Sequence, residues 1–139
     1  MSLRIKLLLS CLLFGLVLSD SGHAQDVAAD YLGPWKQVHS SAGRCDRCEL
    51  RFGGASGQMT VTANNGWTAR VGMLGSGRLT ELRGEGSWSS SVQGNLRGHR
   101  FDVTFRLVDH QLHLSMRMID PTAKPRLVKA VFQRHWLGS

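Results

Sequence analysis

Acidic residues are scarce in this chain of 139: Asp and Glu total 10 against 17 Lys and Arg, giving a formal charge of +7. Glu49, Glu81 and Glu85 are the only glutamates. A hydrolase built on paired carboxylates needs both in one cleft. Glu81 and Glu85 lie on strand-like sequence with Gly84 between them, where solvent-facing positions are the default. Serine is plentiful, yet no G-x-S-x-G elbow is present, and no Ser/His/Asp set stands out from chance. No complete catalytic or cofactor signature appears. The expectation is a protein without enzymatic activity and without a cofactor.

Long apolar runs are also missing, apart from Leu7 to Leu18. That run follows Arg4 and Lys6 and precedes the small residues of "GHA", the layout of a secretory signal peptide; it is too short for a comfortable membrane span. A cut after Ala24 makes 1–24 the signal and leaves 25–139, enough chain for one domain with a modest core and too little for two. The expected location is periplasmic or secreted, with no stable membrane insertion once the signal is gone. Without Arg4, Lys6 and Asp20 the chain is still basic and arginine-dominated, which suits carboxylate or phosphate groups on a partner. The arginines are spread over separate segments, as solvent-facing strand positions would be. No aromatic-basic module for DNA or RNA is visible, so nucleic acid is not an expected partner.

Helical periodicity is the next absence. Apart from short turns of helix expected near "DVAADYLG" and around "DPTAKP", period-2 alternation dominates from Cys48 onward. Met59, Val61 and Ala63 share one face, as do Trp67, Ala69, Val71 and Met73. Phe101, Val103, Phe105 and Leu107 form another row, and Leu112, Leu114, Met116 and Met118 a fourth. "GGASG", "NNG", "GSG", "RGEG", "RGH" and "VDHQ" fall where turns belong, and Asn65-Gly66 is the strongest hairpin signal. About seven or eight strands joined by tight turns predict an all-β, antiparallel up-and-down arrangement. Closure into a single small barrel covers the apolar face and the edges, with a β-sandwich as the alternative.

The two ends of the chain sharpen this. The first strand carries Gly33 and Trp35 as Gly-x-Trp. The last carries Val128, Ala130, Phe132 and Trp136 on one face, with Arg134 on that same face. A charge among apolar side chains demands a partner, and a guanidinium stacked on Trp35 supplies one. This pairing resembles the calycin barrels, the group that includes lipocalins, fatty-acid-binding proteins and avidins. The resemblance implies that Gly33, Trp35 and Arg134 are structural residues that close one end of a barrel.

Cysteine is nearly absent: outside the signal region only Cys45 and Cys48 remain, in "GRCDRC". A thioredoxin-like site would put C-x-x-C at a helix N-terminus, whereas Cys48 opens a strand. A closed zinc site needs two further ligands, and His39, His99, His110 and His113 have no zinc-finger spacing to the pair. Glu49 stands where haem attachment requires histidine. A structural Cys45–Cys48 disulfide is the expectation for an exported chain, with redox or metal-binding roles as alternatives. Two functions then compete. In the first, a small or anionic ligand binds at the barrel mouth, near Trp67, Trp88, Arg44 and Arg47, with methionines as adaptable lining. In the second, an inhibitor or immunity-type protein blocks an enzyme outside the cytoplasm, using Arg44 and Arg47 on the stapled loop as anchors.

Overall fold

The computed structural model describes residues 27–55, 57–75 and 80–136. The expected signal and its cut after Ala24 lie outside these residues. Alternation translates directly into strands: β1 (Gly33–Ser40), β2 (Glu49–Ala55), β3 (Gln58–Ala63), β4 (Trp67–Leu74), β5 (Glu81–Trp88), β6 (Arg100–Val108), β7 (Gln111–Ile119) and β8 (Arg126–Arg134). Each pairs antiparallel with its sequence neighbour, and β8 pairs with β1, so the sheet closes as an eight-stranded barrel. The buried rows of β3, β4, β6 and β7 are the predicted ones. Closure places them around one core and leaves no strand edge unpaired.

The barrel has two unlike ends. At one, called the floor here, β1 begins and β8 finishes, and a short helix (27–31) precedes β1. Tyr31 from that helix is buried and packs on Phe52, which meets Phe105 edge-on at 5.0 Å between centroids. Leu82, Leu112, Met59 and Val71 fill the remaining space in the core. At the opposite end, the mouth, lie the β1–β2 loop, the β3–β4 turn, residues 89–99 and the β7–β8 turn.

Several turn expectations need correction. "RGEG" is not a turn; it runs through the middle of β5. Its glycines are there because a Cβ on Gly84 would lie 1.8 Å from the Arg70 carbonyl, and one on Gly86 would lie 2.5 Å from the Phe101 ring. "DPTAKP" forms a turn instead of a helix. Asp120 caps it by accepting from both the backbone N–H and the hydroxyl of Thr122, at 2.8 and 2.7 Å. In "NNG" only Gly66 takes positive φ, at 105°. The two-residue hairpin with both central residues left-handed is Asp109-His110, at φ 49° and 63°, joining β6 to β7 directly. Trp136 does not continue the inward face of β8. The strand ends at Arg134, and Trp136 is 82% exposed.

Candidate functional site

At the mouth the inward rows end in large side chains. Trp67 opens β4 and Trp88 closes β5, and they are register partners. Met116 and Met118 end the inward row of β7, opposite Val128 and Arg126 of β8. With Leu96 from the loop above and the β1–β2 loop, these residues surround a cavity of about 390 Å³. Its space has a cause in the sequence. The floor half is packed with rings, whereas Ala130, on the cavity wall, presents only a methyl group between Leu114 and Phe132. Gly84 and Gly86, below Trp88 on the inward row of β5, open no further space, because the Arg70 carbonyl and the Phe101 ring already occupy theirs. The lining is largely apolar, with a few polar groups at its edge, the usual make-up of a small-ligand pocket.

Cys45 and Cys48 are joined by a disulfide with Cα atoms 5.4 Å apart, and both line the cavity. Cys48 is buried immediately before β2. Asn64, in the neighbouring β3–β4 turn, accepts from the Glu49 N–H at 2.9 Å and donates to the Arg47 carbonyl at 2.6 Å. The second half of the loop is therefore tied to the barrel by Asn64. Ser41 is tied to β8, donating its N–H to the Lys129 carbonyl at 2.8 Å and accepting from the Lys129 N–H on its hydroxyl at 2.9 Å. Residues 42–44 are exposed and return to the barrel through the disulfide at Cys45. Arg44 lines the cavity edge, where its guanidinium pairs with Asp46 at 2.7 Å. Arg47 points its function elsewhere: it is exposed and absent from the cavity wall, serving through its backbone carbonyl.

The floor holds the other residues singled out in the sequence. The Arg134 guanidinium lies 4.1 Å over the Trp35 ring and donates to the carbonyls of Leu32 and Asp30. The Trp35 indole N–H donates to the Tyr31 carbonyl at 2.8 Å. Gly33 has φ 96°, and a Cβ there would sit 3.5 Å from the Arg134 guanidinium. Gly33, Trp35 and Arg134 thus form one unit that binds the short helix across the floor. Burial holds Arg134 below its ordinary pKa, a shift opposed by nearby Asp30, and it remains charged at any physiological pH.

Of the acidic candidates, Glu81 departs from the solvent-facing expectation. It is only 6% exposed, because Arg106 and Arg83 close over it at 2.6 and 2.5 Å. The hydrogen bond from Arg106 is the main reason its carboxyl stays below the ordinary value. Glu85 instead pairs with Arg100 at 3.0 Å, so the two glutamates share no cleft. His135 is half-buried and hydrogen-bonds Glu49 at 2.7 Å. Among the described residues no group of three His, Cys, Asp or Glu side chains is placed to hold a metal ion.

Leu96 and Arg126 are among the wall residues that the sequence did not single out. Leu96 sits in an irregular loop with no periodicity to mark it. Arg126 carried a readable signal: stepping by two along "RLVKAVFQR" puts arginines at both ends of the inward face of β8. One closes the floor and the other stands at the mouth. No family model, curated protein or solved structure matches the chain.

Proposed function

We propose that this chain is an exported binding module of the calycin kind that takes a small ligand into the mouth end of its barrel. The observation that carries the reading is the cavity of about 390 Å³ between Trp67, Trp88 and the stapled loop. The barrel's unlike ends support it: one is plugged by Tyr31, Trp35 and Arg134, and the other narrows to a lined space. A native mass spectrum of the exported protein, purified without reductant, tests the reading. The expected result is a mass above that of the chain cut after Ala24, with the excess lost on denaturation. A bare chain, coupled with no uptake of small apolar molecules by the purified protein, refutes it.

A second reading rests on a different observation. The β1–β2 loop is stapled, and Arg44 and Asp46 on it are 85% and 70% exposed, a rigid polar protrusion suited to entering an enzyme's active site. Under that reading the protein is an inhibitor or immunity-type partner, and pull-down with the loop intact, lost on Arg44→Ala, is the expected result. Metal binding by Cys45 and Cys48 is tested by the same spectrum, since a bound metal ion would add its own mass, and redox use by titrating the disulfide against glutathione buffers.

A further inference from the structure

The outer wall of the barrel carries two cation-bearing rows that neither the mouth nor the floor uses. Strand register runs one row straight across four strands as Arg83, Thr104, Ser115 and Lys129. Nearer the floor a second row runs Arg106, His113, Val131 and His39, ending on β1. These positions alternate with the buried ones and so face outward, and together they border a hollow of about 550 Å³. Thr104, His113 and Ser115 are half-buried there, between longer and exposed side chains. Among the described residues no carboxylate lines the hollow. Glu81, beside it, is only 6% exposed and holds Arg83 at 2.5 Å and Arg106 at 2.6 Å. One buried carboxylate thus serves two arginines whose side chains remain 57% and 64% exposed. The Lys129 ammonium has no anionic partner among the described residues, and the Thr104 and Ser115 hydroxyls make no hydrogen bond among them. Toward the mouth the wall is different: Glu85 pairs with Arg100 at 3.0 Å and Asp102 with Arg117 at 2.5 Å. The surplus of positive charge is therefore local to the hollow.

We infer that this hollow binds a linear polysaccharide bearing sulfate or carboxylate groups. Its anionic groups face Arg83, Arg106 and Lys129, while its hydroxyls exchange hydrogen bonds with Thr104, Ser115 and His113. The shape suits a chain better than a bilayer. From β5 to β1 the rows take four of the eight steps around the closed ring, so their ends face away from each other and no plane touches both. A protein partner calls for an apolar centre, and Val131 is the sole outward apolar side chain on this wall. Single-stranded nucleic acid calls for aromatic platforms, and no Phe, Tyr or Trp lines the hollow. The site is separate from the mouth cavity and independent of what that cavity holds.

Calorimetric titration of the purified protein with dextran sulfate, against uncharged dextran, tests the assignment. Dextran sulfate is expected to bind and dextran not to, with affinity falling steeply as salt rises, because counterions compete for the same cations. Polyglutamate, single-stranded DNA and equimolar phosphatidylglycerol–phosphatidylcholine vesicles should each bind more weakly; if one matches dextran sulfate, the polysaccharide assignment is wrong. A basic protein attracts any polyanion, so charge-matched variants locate the site. Ser115→Asp puts a carboxylate into the hollow and should weaken dextran sulfate about tenfold through like-charge repulsion. Thr62→Asp puts the same charge on β3, opposite β7 in the ring, and should change the affinity by less than about twofold, since salt screens it at that distance. Lys129→Gln, at an exposed position that cannot upset the core, should weaken binding about threefold, as for one exposed ion pair. Arg70→Gln, on the outer wall of β4, should have no effect. Equal losses within either pair would show that net charge alone draws the polymer, and would overturn the site.

Discussion

Replacing Arg134 with leucine should cost the fold about 2–3 kcal/mol, and the floor geometry sets that figure. The guanidinium gives two charged hydrogen bonds, to the Leu32 and Asp30 carbonyls, each worth about 1.5–3 kcal/mol in typical settings. Its stacking on Trp35 at 4.1 Å adds about 0.5–1 kcal/mol at a partly exposed site. Simple addition overstates the loss, because both carbonyls lie at the open end of a short helix where water replaces the lost donors. Leucine also recovers some apolar contact with the indole. The net effect should lower the thermal midpoint by about 10 °C for a domain of this size. Circular dichroism melts and urea titrations measure it, with an unchanged urea slope showing that the denatured state is the same. Arg134→Lys is the discriminating control. Lysine keeps the charge yet cannot fork to both carbonyls or stack flat, so it should recover about half of the loss. A loss under about 1 kcal/mol for Arg134→Leu, or equal losses for leucine and lysine, would refute the account of the floor as an arginine-held lock, since surface substitutions typically fall within about 0.5 kcal/mol.

Other perturbations follow from single residues. Gly86→Ala drives a Cβ to 2.4 Å from the Thr68 carbonyl as well as into the Phe101 ring, and should destabilise the barrel by about 2–4 kcal/mol in urea titrations, an overpacking cost at the upper end of the usual range. At the hairpin of β6 and β7, His110→Gly relieves a left-handed non-glycine residue at φ 63°; a gain of about 0.5–1 kcal/mol in the same assay is expected, less any entropy lost through greater freedom in the unfolded chain. Glu81 has its pKa depressed in the fold below 4.5, chiefly by Arg106. Its stabilising contribution is therefore fully present above the unfolded value and disappears as pH falls through the folded one. Glu81→Gln should be less stable than wild type at pH 7, and the gap should narrow through the acid range; a pH-independent gap would contradict the ion-pair origin.

The barrel was legible wherever one face is buried and the other wet. β3, β4, β6 and β7 alternate cleanly because every second side chain faces a common interior, and no competing signal interrupts them. β5 was obscured for the opposite reason. Its inward positions at Gly84 and Gly86 hold no side chain, so the segment reads as punctuation, and only the approach of Arg70 and Phe101 explains the glycines. The Asp109-His110 turn was placed correctly in the sequence, but its left-handed pair is not one that composition favours. The floor residues Gly33, Trp35 and Arg134 could be found because a charge on an apolar face is conspicuous. Arg126 lay on that same face and was missed. At a strand end, parity alone does not reveal whether a side chain turns into a cavity or out to water. The cavity was hinted at by Trp67, Trp88 and the methionines. Which of the inward rows pack tightly and which leave space depends on contacts between strands far apart in sequence.

The lock between Arg134 and the Leu32 carbonyl joins residues 102 positions apart, and the seam between β1 and β8 depends on the same late partner. In vectorial synthesis, β1 must therefore wait for nearly the whole domain to appear before its outer edge is satisfied. Until then the nascent sheet is an open template, and another chain's strand can take the place of β8. The C-x-x-C bridge closes over only three positions and needs none of this waiting. The mouth loop can be set early, while the ring as a whole closes last. Shortfalls in yield should accordingly track the supply of the final strand: deleting β8 should give edge-to-edge multimers, and adding its peptide in trans should return monomers.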